Sequence, residues 1–167
     1  MPATQADRDR LWDLIKDIRY AMFTTRDGNG QLHSRPMTVQ NKRIDEDNLL
    51  WFFMGRAGEP VDDIGRDPRV NVVFADPDDN AYVSISGQAA VVDDPQRARE
   101  LWSNMAQAWF PGGPEDPALA LVKVGITHAD YWDVKDNKLV QVFKMVKAAA
   151  TGQPPKDMAD HGRVRMG

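Results

Sequence analysis

Residues 67–92, DPRVNVVFADPDDNAYVSISGQAAVV, decide the fold. RVNVVFA (69–75) puts Val70, Val72 and Phe74 on one face. AYVSISGQAAVV (81–92) alternates Tyr82, Ser84 and Ser86 with Val83, Ile85 and Gly87. That two-residue period is the mark of a strand with one buried side. DPDDN (76–80) between the two runs is built of turn formers, so the pair reads as antiparallel neighbours. Gly87 marks a bulge or a close backbone approach.

The pattern repeats on the N-terminal side. RYAMFTTR (19–26) and QLHSRPMTVQ (31–40) flank DGNG (27–30), a hairpin turn signal because Gly and Asn tolerate positive φ. Pro36 removes one ladder donor, which implies an edge strand or a bulge. After a polar connection (41–48), LLWFFM (49–54) is a short apolar strand buried on both sides. Residues 5–19 form a helix with Leu11, Ile15 and Ile18 on one face. A second helix, PVDDIGR (60–66), starts at Pro60 and is ended by Asp67-Pro68.

On the C-terminal side, Asp94-Pro95 opens a helix to about Ala108 that buries Ala98, Leu101, Trp102 and Met105. WFPGGPEDP (109–117) is irregular, and LALVKVGIT (119–127) and YWDVK (131–135) are two further strands. In 138–150, LVQVF favours strand, whereas KAAATG favours a helix closed by Gly152. Residues 1–150 form one domain, and 151–167 read as a tail whose composition favours fraying over an arm on a partner subunit. About six strands, two or three helices and antiparallel connections make the fold mainly β. A closed or partly closed β-barrel with peripheral helices is expected rather than a parallel α/β sheet.

Composition narrows the chemistry. The chain of 167 residues is long enough for one real core, and its net charge of −4 gives no cation excess for nucleic acid. No cysteine is present, which excludes disulfides, thiolate metal sites and cysteine nucleophiles. Charges fill the N-terminus where a signal peptide needs apolar residues, and no run approaches the ~20 residues of a membrane span. A cytoplasmic protein with no membrane partner is expected. P-loop, GxGxxG, HExxH and GxSxG motifs are absent, and His33, His128 and His161 are too scattered to imply a metal site. Composition and spacing alone stop at a soluble mixed-β domain.

Four segments in order carry more: HSRPM (33–37), LLWFF (49–53), residues 67–92, and ELWSNMAQAWFPGGPEDPALALVKV (100–124) followed by DYWDV (130–134). Over about residues 7–150 their order and spacing resemble the general-stress flavin-binding proteins, within the FMN-binding split barrels related to pyridoxamine phosphate oxidase. The resemblance implies a homodimer with two flavin sites, each built from both subunits, and FMN as cofactor with FAD as the alternative. Carried over by position, His33, Ser34, Arg35, Pro36 and Met37 would line the ring and ribityl chain. Trp51, Phe52, Phe53 and Met54 would continue that wall, with Trp109, Phe110 and Trp132 approaching it from the loop and the following strand. Because neighbours in a strand face opposite sides, only one or two of Trp51, Phe52 and Phe53 can reach a ligand. Trp109 and Phe110 lie in a Pro/Gly loop with no core of its own, which suits covering a ligand or a partner.

One departure from the resemblance concerns the phosphate. Glu59-Pro60 stand where the related proteins carry a phosphate-gripping lysine. Arg35, Arg56 and the start of the helix at Pro60 are the substitutes available. The resemblance implies a flavin-dependent oxidoreductase, with a non-enzymatic flavin store or sensor, or a barrel that has lost its flavin, as alternatives. No residue reads as a catalytic acid or base.

Overall fold

The computed structural model describes residues 2–133, 138–154 and 160–166. Helix α1 (Gln5–Ile15) opens with a reciprocal cap. The Thr4 hydroxyl accepts from the Asp7 amide (3.2 Å), and the Asp7 carboxylate accepts from the Thr4 amide (2.8 Å). It ends before Ile18 and buries Leu11 and Ile15. Strands β1 (Ala21–Arg26) and β2 (Leu32–Met37) form the first hairpin, followed by β3 (Leu49–Gly55) and α2 (Glu59–Arg66). Strands β4 (Arg69–Asp76) and β5 (Ala81–Val92) form the hairpin read from residues 67–92.

The sheet runs β2-β1-β4-β5-β6-β3, where β6 is Leu119–Asp133, and every pairing is antiparallel. Its two ends meet: Val39 bridges to Phe52, and the Gln40 amide donates to the Trp51 carbonyl (2.8 Å). The result is the expected barrel, closed by one short contact. β2 is terminal in the strand order, which accommodates Pro36. Gly87 sits at the register shift in β5, where a Cβ would overlap the Gly125 carbonyl of β6.

Inward-facing Phe23, Phe52 and Phe74 are fully buried, with the Phe23 and Phe52 rings edge-on at 5.1 Å. Leu11 and Ile15 join the same core, so α1 covers the barrel rather than standing apart. Truncating one such phenylalanine to alanine would cost roughly 3–5 kcal/mol.

Four expectations need correction. The helix expected from Asp94 to Ala108 is two, α3 (Pro95–Leu101) and α4 (Asn104–Trp109). The chain breaks at Trp102 (φ −62°, ψ 139°), where Ser103 accepts from the Ala106 amide (3.2 Å) and starts a new helix. Trp102 and Met105 are therefore half-buried, while Ala98 and Leu101 are buried as expected. The irregular loop contains a short 3-10 helix, Gly113–Glu115. The two strands expected after it are one continuous β6, held straight through by pairing with the long β5. Its last expected residues, beyond Asp133, lie outside the described set.

The ambiguous stretch is helix α5 (Lys138–Thr151), closed by Gly152 at φ +68°. The frayed tail is corrected at its end: β7 (Asp160–Arg165) pairs with β6. Arg163 is ion-paired with Asp130 (2.6 Å), and Met166 is buried. The Met166 amide donates to Thr127 (2.8 Å), and its carbonyl accepts from the Asn48 side chain (2.8 Å). Val164 and Met166, two residues apart, were the only apolar signal for this strand.

Candidate functional site

Strand β2 carries the HSRPM motif, and its pleat divides the motif. His33, Arg35 and Met37 pair across with Thr25, Phe23 and Ala21, the buried side of β1. Ser34 and Pro36 face the other way, opposite Thr24 and Met22, and the Ser34 and Thr24 hydroxyls share a hydrogen bond (2.6 Å).

At the N-terminal end of β2 the polar groups satisfy one another. Arg35 Nη1 donates to Thr25 Oγ1 (2.6 Å), which donates to Asp63 Oδ2 (2.7 Å). Arg35 Nη2 stands 3.8 Å from the same carboxylate oxygen. Asp63 is fully buried on α2, and its Oδ1 has no hydrogen-bond partner among the described residues; Arg66 Nη1 is 3.8 Å away. His33 Nε2 lies 2.8 Å from Asp27 Oδ2. The Asp27 carboxyl is held below its ordinary range, first by the Gln31 backbone N–H and also by His33.

The C-terminal end of β2 opens into a cavity of about 240 Å³. Of the residues expected to bind a ligand, the structure gathers Pro36, Met37, Phe53, Met54, Trp109 and Phe110 around it. Tyr20, Thr38, Gln40, Gly55, Met105 and Ala106 complete the lining and were missed. Periodicity had assigned Met105 to the core, but the break at Trp102 turns it toward the cavity. Helix α4 forms the outer wall. Its exit is fixed by Gln107, whose side-chain amide donates to the Pro111 carbonyl (2.9 Å), and by the Gly113 amide on the Phe110 carbonyl (3.0 Å). The Phe53 ring also packs against Trp102 (5.3 Å).

The remaining expected residues lie elsewhere. His33, Ser34 and Arg35 are not among the residues lining the cavity. Phe52 is inside the barrel. Trp51 packs with Ala98 and Leu101, with the Arg97 guanidinium 5.3 Å above its ring. Trp132 stacks in parallel on His161 of β7 (4.9 Å, 4°). Arg56 Nη2 donates to the Leu119 carbonyl (2.9 Å) and borders a separate hollow with Asp93, Asp94, Glu115 and Asp116.

A flavin needs flat apolar walls, polar groups at the ring edge and a cation for its phosphate. The cavity meets the first two needs. Tyr20, Phe53, Trp109 and Phe110 are walls, and Thr38 and Gln40 are edge partners. None of the described lining side chains is charged, so the lining suits a flat ring and offers a phosphate no cation. The volume of about 240 Å³ is also below the ~300–1,000 Å³ of an enclosed small-molecule site, so this chain alone does not enclose a flavin-sized ligand there. Trp109, one of the lining residues, is 78% exposed.

Comparison with known proteins places these features in a family. Residues 6–156 match the family described as "Pyridoxamine 5'-phosphate oxidase like". Protein bli-3 of Neurospora crassa is 29% identical over 163 residues, covering 92% of this chain and 77% of that protein. The general stress FMN/FAD binding protein from Xanthomonas citri superposes with a TM-score of 0.67 at 30% identity, covering 80% of this chain and 93% of the other. General Stress Protein 26 from Bacillus anthracis gives a TM-score of 0.64 at 25% identity, covering 74% and 92%.

Proposed function

The chain belongs to the pyridoxamine 5'-phosphate oxidase like family, and from that premise we propose that it is a general-stress flavoprotein. In this reading it binds FMN, or FAD, at the cavity beside the C-terminal end of β2 and acts as a cytoplasmic homodimer with oxidoreductase chemistry. The observation that carries it is the uncharged, aromatic-walled cavity into which β2, β3 and α4 converge. A relative at 30% identity is named for FMN/FAD binding, which supports the same reading.

A bound flavin supplies one- or two-electron transfer; the chain's residues position it. Met37, Phe53 and Met54 would form the inner wall beside the ring, with Trp109 and Phe110 covering it from water. Thr38 and Gln40 offer donors and acceptors to the ring edge. Trp109 of the cavity lining is exposed, as are Met22, Tyr82 and Trp132 on the outer sheet. A twofold partner covering such surfaces would both bury them and close the site.

Titration with FMN and FAD tests the reading. Saturable quenching of flavin fluorescence near one flavin per chain is expected; no quenching by either would overturn it. Light scattering at micromolar concentration should give twice the monomer mass. A second reading, a flavin store or sensor without turnover, is favoured by one feature: no carboxylate, imidazole or amine is found among the described lining side chains. Steady oxidation of reduced nicotinamide by the flavin-loaded protein would decide for the oxidoreductase, and its absence for the sensor.

A further inference from the structure

Short turns join β1 to β2 and β4 to β5, but residues 134–159 separate β6 from its antiparallel neighbour β7. Helix α5 alone takes 14 of those residues, about 21 Å at ~1.5 Å per residue. No tight turn sets the place of β7; the groove that it enters does.

That groove is selective. On the barrel side, Gly162 lies opposite Tyr131, and any Cβ there would overlap the phenol ring. The ring packs against the main core, with the Arg10 guanidinium 5.1 Å from its centroid. Val164, opposite Ala129, packs on the same core, and Met166 is buried in it. On the outer side, Arg163 grips the Asp130 carboxylate with two donors (2.6 and 3.3 Å), and His161 stacks on Trp132. The far end is caught by Asn48, whose side-chain amide donates to the Met166 carbonyl (2.8 Å). Asn48 is itself fixed at φ 57°: Arg8 Nε donates to its Oδ1 (2.8 Å) and the Ile126 amide to its carbonyl (3.0 Å). The groove therefore favours a strand with a residue lacking a side chain, apolar residues two and four positions on, and a cation directly after the first.

None of these contacts requires strand and groove to belong to one molecule. Main-chain pairing with pockets for alternate side chains is how an extended segment adds to a sheet edge. Exchange of an identical element between copies is a low-cost route to a dimer. We propose that the His128–Asp133 edge of β6 is a strand-addition site that accepts the C-terminal strand of a second copy of this chain. That occupant carries Gly162, Arg163, Val164 and Met166 at the spacing the groove selects. The inference does not depend on the flavin reading.

The chain has no cysteine, so an introduced pair reports contact cleanly. Asp130 and Arg163 are directly opposed. Opposed antiparallel residues lie about 4.5–5.5 Å apart at Cα, within the span of a disulfide. Full chains carrying Asp130→Cys are mixed with differently tagged full chains carrying Arg163→Cys, and oxidised glutathione is added. A covalent heterodimer is expected. Docking within one chain competes at an effective concentration on the order of millimolar, so at about 0.1 mM roughly a tenth of the strands should dock in trans. Mixing Arg163→Cys with Asp13→Cys, at an exposed position of α1, measures chance collision and should give about tenfold less. Adding Gly162→Ala to the Arg163→Cys chain should bring the heterodimer down to that level. The opposed pair His128 and Arg165 repeats the test with the Asp130 ion pair intact. A heterodimer no more abundant than the collision control in both pairs would overturn the proposal. Asp130→Cys and Arg163→Cys in one chain would then close internally, and β7 would dock only on its own β6. An excess that survives Gly162→Ala would overturn it as well, because the contact would not use the groove.

Discussion

The two ends of β2 carry one five-residue motif and do opposite things. At the His33–Arg35 end, polar side chains turn toward the barrel and find internal partners in Asp27, Thr25 and Asp63. At the Pro36–Met37 end, the same strand borders a hollow with uncharged walls and little to satisfy. Four residues of strand cover about 13 Å, so the ends belong to different neighbourhoods. The polar end spends its chemistry on holding the barrel to α2, and the apolar end is free for a ligand. Substitutions at the two ends should therefore separate stability from binding.

The largest separation is expected at Asp63. It is fully buried, accepts from Thr25 and neighbours both Arg35 and Arg66. Asp63→Ala leaves Arg35 half-buried without its counter-charge and Thr25 without its acceptor. A loss of roughly 2–4 kcal/mol is expected in urea unfolding. Asp63→Asn, which keeps an acceptor for Thr25, should lose less. Flavin affinity of the folded fraction should stay within about twofold, since this cluster contributes nothing to the described cavity lining. A large drop in affinity with an unchanged urea midpoint would break the comparison.

Trp109→Ala should show the converse, with a smaller effect. Trp109 is 78% exposed, so its removal should change stability by no more than about 0.5 kcal/mol. If it covers the ring, affinity should fall about tenfold, the value of one aromatic wall. Fluorescence titration beside a urea curve checks both halves. Loss of stability without loss of affinity would make the loop a structural clasp and not a cover.

The division of β2 explains how much could be read from the chain. The hairpins were legible because Val70, Val72 and Phe74 repeat at two and DGNG and DPDDN are turns with a physical reason. Pro36 correctly signalled an edge. The break between α3 and α4 was not legible, because Ser103 is tolerated inside a helix and caps one only when Trp102 finds Phe53 and Gln107. β7 was hidden for a related reason: its burial rests on Val164 and Met166 meeting a sheet already formed. The site was half legible. Pro36, Met37, Phe53, Met54, Trp109 and Phe110 come together, but contiguity in HSRPM suggested one wall where the two ends of β2 meet different neighbourhoods. Tyr20 carried no signal, since an aromatic at a strand entrance is an ordinary surface residue until the cavity is seen.

The smallest expected effect is in acid, and it sharpens the same contrast. Near the polar end, Arg26 and Arg69 both approach Asp67, whose carboxyl is lowered to about 2, first by the Arg69 side-chain hydrogen bond and next by its backbone amide. Asp27, at the hairpin turn, is lowered as well. A carboxylate with a depressed folded-state pKa binds fewer protons folded than unfolded once pH drops toward the ordinary value of 3.8. Its stabilising contribution is therefore complete above that value and is lost as pH falls from there toward about 2. These carboxylates are at the surface, so the loss should be modest and should shrink further in high salt. The described cavity lining includes no carboxylate, so nothing there titrates in that window. Thermal melts at pH 5 and pH 3, at low and high salt, should show a salt-sensitive fall at pH 3. Riboflavin quenching per folded molecule should not change between the two, because its ring meets only groups that keep their charge state. A parallel acid loss of riboflavin binding would mean that the polar end of β2 reaches the ligand after all.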